Sequence, residues 1–105
     1  MNDFDWCKSM LPKVSRTFAM GIQMMPAPFE SWITIGYLLC RVVDTIEDTE
    51  DMPWPDRKSM FDAFEVALQS GDLTQFTAGL DVIPNNDDGD LCRGLDRILR
   101  CMHTF

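Results

Sequence analysis

Apolar residues along this chain recur at intervals of three and four, the spacing of one helix face, and nowhere alternate for more than a few positions. Over 3–11, Phe4, Cys7, Met10 and Leu11 form such a face, Asn2 or Asp3 can cap its start, and Pro12 predicts its stop. An uncharged stretch from Phe18 to Met25 follows, and Pro26 and Pro28 punctuate the chain before a long helix over 29–48. That helix has to end before Pro53, because a proline pushes the preceding residue out of the helical region. A third helix is predicted over 56–70, with Met60, Phe61, Phe64 and Leu68 on one face and Gly71 as its stop. A shorter helical piece spans about 73–81, and 84–90, Pro-Asn-Asn-Asp-Asp-Gly-Asp, reads as a polar loop with solvated acids. The last helix, about 90–103, repeats Leu91, Leu95, Ile98, Leu99 and Met102, and leaves Arg93, Arg97 and Arg100 as a solvated face. The pattern is all-α, in one domain covering 1–105, with no internal repeat or low-complexity segment.

The long helix carries the chemistry. Its first two-thirds is mostly apolar, and then Asp44, Glu47, Asp48, Glu50 and Asp51 crowd together. Tyr37, Arg41, Asp44 and Asp48 fall at i, i+4, i+7 and i+11 and share one face, with Glu47 flanking it. Carboxylates a turn apart repel by about 0.2–0.5 kcal/mol per pair. In a last helical turn they also meet the negative end of the dipole, for about 0.3–1 kcal/mol each. A hard divalent cation reverses the sign of both effects, since Mg²⁺ takes oxygen ligands and keeps room for waters and phosphates. Asp44, Glu47 and Asp48 are therefore read as metal ligands, and Glu50 and Asp51 as solvated surface.

Charge and cysteine usage narrow the classes. A formal net charge of −8 excludes the clustered basic surface that nucleic acid requires and disfavours anionic membranes. Cys7, Cys40, Cys92 and Cys101 show no Cys-x-x-Cys pairing and no zinc spacing with His103, so they read as small hydrophobes in a reducing cytoplasm. The longest uncharged run, over 17–29, is too short to span a bilayer and contains two prolines, and the first residues lack a secretory pattern. Lys13, Ser15, Arg16 and Thr17 put two cations and two hydroxyls within five residues, suited to anion contact but also common in surface loops. Met20, Met24 and Met25 read first as core packing, and alternatively as the wall of a hydrophobic cavity.

Two segments together, Leu-Pro-Lys-Val-Ser-Arg-Thr-Phe-Ala at 11–19 and Tyr-Leu-Leu-Cys-Arg-Val-Val-Asp-Thr-Ile-Glu-Asp at 37–48, resemble the squalene/phytoene synthase family. In that family a Tyr-x-x-x-Arg-x-x-Asp-x-x-x-Asp helix is the first of two aspartate-rich motifs. The resemblance is sharp over 11–51 and looser beyond, and it implies the N-terminal helices of an isoprenoid-synthase-type bundle, incomplete here. It implies that Asp44, Glu47 and Asp48 hold Mg²⁺ against a prenyl diphosphate, and that Ser15, Arg16 and Thr17 close over a diphosphate. By the same resemblance Phe18 walls the prenyl channel, and Tyr37 and Arg41 line the reaction centre. The implied activity is head-to-head condensation of two prenyl diphosphates, farnesyl or geranylgeranyl, with NADPH entering if the product is squalene.

Family members are far longer than 105 residues, and no second motif of that spacing follows residue 51. Half of the metal clamp and most of the cavity helices are thus expected from further C-terminal helices of an intact protein. The isolated chain is expected to be inactive, cytoplasmic, and membrane-peripheral through a lipophilic product. The competing expectation is a non-catalytic relative that keeps the fold as an assembly or interaction module.

Overall fold

The computed structural model describes residues 2–104, which fold into helices without strands. In chain order these are α1 (Asp3–Val14), α2 (Arg16–Gln23), α3 (Phe29–Asp48), α4 (Trp54–Ser70), α5 (Thr74–Ala78), a 3₁₀ turn (Leu80–Val82), α6 (Asp87–Arg93) and α7 (Leu95–Thr104). The long α3 lies at the centre, with α1, α2, α4, α6 and α7 packed around it, and α1 also lies along α7. Ile35, Leu38, Val42 and Ile46 line its buried stripe, and α1 answers with Cys7, Met10, Leu11 and Val14. On the other side Leu91, Leu95, Ile98 and Leu99 close the core.

Local chemistry accounts for most ends. The Asn2 side chain accepts the Asp5 N–H at 2.7 Å, and Asp3 and Asp5 sit where the helix dipole favours negative charge. The α4 helix ends at Gly71, whose φ of 79° is the left-handed conformation that glycine adopts without a Cβ penalty.

Three expectations are corrected. Pro12 does not stop α1, which runs on to Val14. A proline removes the bond to the carbonyl four residues back, on exposed Lys8, and crowds that carbonyl, but Ser15 N–H still bonds Leu11 at 2.9 Å and Val14 reaches the core. The segment over 90–103 is two helices, broken at Gly94. The Trp6 ring from α1 fills the space where a side chain at that position would stand. Met20 in α2, and Met24 and Met25 just after it, are not core. Ala19 and Ile22 take the buried face, which leaves Met20 and Met24 70% and 86% exposed.

The arginines near the C-terminal end do more than face solvent. Arg93 donates to the Ile83 carbonyl at 2.8 Å and the Pro84 carbonyl at 3.2 Å, tying the 83–84 segment to α6. Arg97 covers the Trp6 ring, and Arg100 grips Asp3 through two bonds of 2.8 and 3.1 Å, which fastens α7 to α1. Of the cysteines, Cys7, Cys92 and Cys101 are buried as expected of small hydrophobes, and Cys40 is exposed.

Candidate functional site

An open cavity of about 460 Å³ lies where the C-terminal end of α3 meets the start of α6. Its α3 wall is Arg41, Asp44, Thr45, Asp48 and Thr49; Glu50 and Asp51 follow at the rim, and Val82, Pro84, Asn86 and Asp88 face them. Helical periodicity puts Arg41, Asp44 and Asp48 on one stripe, and the tertiary structure turns that stripe into a cavity wall.

The C-terminal end of α3 is held by bonds the sequence pattern does not reveal. Thr45 donates its hydroxyl to the Arg41 carbonyl at 2.8 Å and Thr49 to the Thr45 carbonyl at 2.7 Å. Arg57 of α4 then donates to the Thr49 and Met52 carbonyls at 2.6 and 3.2 Å. A cation at a helix C-terminus opposes the dipole and the acidic crowding there. Its spacing from the acids has no local period, so nothing in the sequence marks it.

Arg41 donates Nε and Nη2 to the two carboxylate oxygens of Asp88, at 3.0 and 3.2 Å. Both side chains are about a third exposed, at 33% and 31%. The hydrogen bond to Asp88 foremost, with smaller contributions from the charges of Tyr37 and Asp44, raises the guanidinium pKa above its already high ordinary value. The expectation of a polar loop with solvated acids at 84–90 is corrected here. Asn86 accepts the Gly89 N–H at 2.8 Å and caps α6, so Asp87, Asp88 and Asp90 fall in a first helical turn. Acids are favoured there by the dipole, and Asp88 is turned onto α3.

The remaining sequence-predicted residues lie apart from this cavity. Tyr37 is about one turn back along α3 from Arg41, roughly 6 Å along the axis, and its ring meets Phe18 of α2 at 5.1 Å between centroids. Arg16 and Thr17 are exposed on the first turn of α2, with Ser15 half-buried as its N-cap. They belong to the Phe18–Tyr37 end and do not line the acidic cavity. Glu47 is exposed and also outside the cavity lining.

The donor chemistry can be weighed against a cation. Among the described residues no group of three or more His, Cys, Asp or Glu side chains is placed to hold a metal by itself. Asp44 and Asp48, exposed on one cavity wall, suit the mode Mg²⁺ uses with phosphates, in which one or two carboxylates hold it and the ligand supplies further oxygens. Among the described residues no helix is long and apolar enough to cross a membrane.

Residues 11–103 match the family model described as squalene/phytoene synthase. A squalene synthase of Dictyostelium discoideum is 30% identical over 95 residues, which is 90% of this chain and 22% of that protein. A squalene synthase of Nicotiana benthamiana is 43% identical over 51 residues, 49% of this chain and 12% of that protein. An inactive squalene synthase 2 of Arabidopsis thaliana is 31% identical over 67 residues, 64% of this chain and 16% of that protein. The chain thus spans less than a quarter of the length of these relatives. No solved structure matches.

Proposed function

The chain belongs to the squalene/phytoene synthase family, and from that premise we propose that it supplies one half of a diphosphate-binding centre for isoprenoid biosynthesis. The reaction proposed for the whole protein is the head-to-head condensation of two prenyl diphosphates, farnesyl or geranylgeranyl, with loss of diphosphate. The observation that carries this reading is the gathering of Arg41, Asp44 and Asp48 on one wall of a single cavity.

In this reading Asp44 and Asp48 hold Mg²⁺ against the diphosphate, with Glu47 beside them on the solvent side. Bound Mg²⁺ supplies Lewis-acid stabilisation of the charge that builds on the leaving oxygens. Arg41 adds donors to the same oxygens. Phe18 and Tyr37 form an aromatic pair at the apolar end of the stripe, suited to shield the prenyl chain from water. Ser15, Arg16 and Thr17 stand at the start of α2, next to that pair, as anion contacts for a diphosphate. NADPH enters where the product is reduced to squalene, and the lipophilic product brings a cytoplasmic protein to the membrane surface.

The test is calorimetric titration of the chain with inorganic pyrophosphate, with and without Mg²⁺. We expect binding coupled to Mg²⁺, lost in Asp44→Asn and in Asp48→Asn. Coupled binding retained in both variants, or absent from the wild type, overturns the reading. The isolated chain is expected not to turn over farnesyl diphosphate, since it offers one acidic helix end where the reaction needs a two-sided clamp. A non-catalytic role as an assembly or interaction module is the second reading, favoured by the match to a relative named as inactive. It predicts a folded chain without Mg²⁺-coupled pyrophosphate binding.

A further inference from the structure

We infer that Asp88 is a positioning residue for Arg41, holding the guanidinium in the orientation in which it meets an anion in the acidic cavity. The inference rests on the reading of that cavity as a diphosphate site and adds to it a residue from outside the aspartate-rich helix.

The geometry of the pair supports it. Asp88 takes one edge of the guanidinium, Nε and Nη2, through both of its carboxylate oxygens. The fork is planar and rigid, so fixing one edge fixes the other. The opposite edge, with Nη1, has no hydrogen bond among the described residues, and Arg41 and Asp88 both line the cavity. Asp88 is itself anchored, since the Asn86 cap sets the first turn of α6 and Arg93 ties the preceding segment to the same helix. An arginine already ordered in this way loses less freedom when an anion arrives than one that must first be gathered from solvent.

Electrostatics pulls the other way, which makes the inference testable. Asp44, Asp48, Glu50, Asp51 and Asp88 set five formal negative charges around one Arg41. Removing the charge of Asp88 by itself favours an anion in the cavity. A loss of pyrophosphate binding in Asp88→Asn therefore reports lost positioning, and a gain reports that Asp88 only competes with the anion for Arg41.

The experiment is pyrophosphate titration at saturating Mg²⁺ on the wild type, Asp88→Asn, Asp88→Glu and Asp87→Asn, with circular dichroism to verify folding. Asp87 neighbours Asp88 in the same helical turn, is exposed, and lies outside the cavity lining, so its variant controls for the change in charge. We expect Asp88→Asn to bind on the order of tenfold more weakly, the scale of a lost charge-assisted bond. Asp88→Glu should recover part of the loss, and Asp87→Asn should bind as the wild type does. In an Arg41→Lys background, where no fork exists to be held, Asp88→Asn should add little. Unchanged or tighter binding in folded Asp88→Asn overturns the positioning role while leaving the cavity reading intact. Should Asp88→Asn fail to fold, Asp88→Ser, which also lacks the carboxylate, takes its place, with wild-type affinity or tighter sinking the inference. A wild type that does not bind removes the cavity reading and this inference with it.

Discussion

Gly89 stands beside Asp88 at the point where α6 meets the 83–84 segment, and replacing it by alanine separates close packing from helix propensity. A Cβ at Gly89 would run into the Pro84 carbonyl oxygen and lie 2.8 Å from Arg93 Nη1 and 3.0 Å from the Pro84 carbonyl carbon. The obstacle is backbone, already held by Arg93, so either α6 or the loop has to move. Overpacking of this kind costs about 1–3 kcal/mol. Against it stands the helix preference of alanine over glycine, about 1 kcal/mol. The net expectation for Gly89→Ala is a loss of roughly 0–2 kcal/mol. Gly36, inside α3, is the matched control, since a Cβ there meets nothing within 4 Å. Gly36→Ala should keep the whole propensity gain and stabilise by about 1 kcal/mol. The two variants should differ by about 1–3 kcal/mol in urea unfolding, each kilocalorie shifting the melting temperature by about 4–8 °C in a chain of this size. A Gly89→Ala protein that is stabilised as much as Gly36→Ala would refute the close approach and, with it, the placement of α6 that turns Asp88 toward Arg41.

Three further outcomes follow from burial. Thr34 is 1% exposed on α3 and its hydroxyl has no hydrogen-bond partner among the described residues; Thr34→Val should stabilise by about 1 kcal/mol, and clear destabilisation in chemical denaturation would contradict an unsatisfied hydroxyl. Burial pushes the Cys7 thiol up to about 12 and the Cys92 thiol up to about 11, from an ordinary 9.0. A folded pKa above the unfolded one gives stability that is complete below pH 9.0 and lost as pH rises toward those values, so unfolding should become easier in alkali. At pH near 8 a thiol reagent should modify exposed Cys40 quickly and reach Cys7, Cys92 and Cys101 only through unfolding; several fast thiols in native protein would contradict the burial.

The acidic stripe and the long helix were legible in the sequence because both depend on short intervals. A residue three, four or seven positions away on a helix is a neighbour whatever the rest of the chain does, so α3 has the bounds that periodicity predicts, Phe29–Asp48, and Gly71 ends α4 as a glycine stop should. The same locality explains the misreadings. Gly94 looks like an interior helical position until Trp6 is placed against it, and Pro12 looks like a stop until Val14 is seen to reach the core. Likewise the Asn-Asn-Asp-Asp run looks like solvated loop, although its asparagine cap and first-turn acids are in hindsight a helix start.

By itself the sequence determined the bounds of α3, the apolar faces of α1 and α3, the order of the acids along α3, and family membership through the segments at 11–19 and 37–48. The tertiary structure alone decided that the partner of Arg41 is Asp88, 47 positions away, that Met20 and Met24 face outward, and that Arg57 closes the end of α3. The division has a physical cause. Helix formation and capping are settled by groups within about a turn of one another. An ion pair between helices depends on how distant apolar faces pack, and periodicity along one segment carries no information about that.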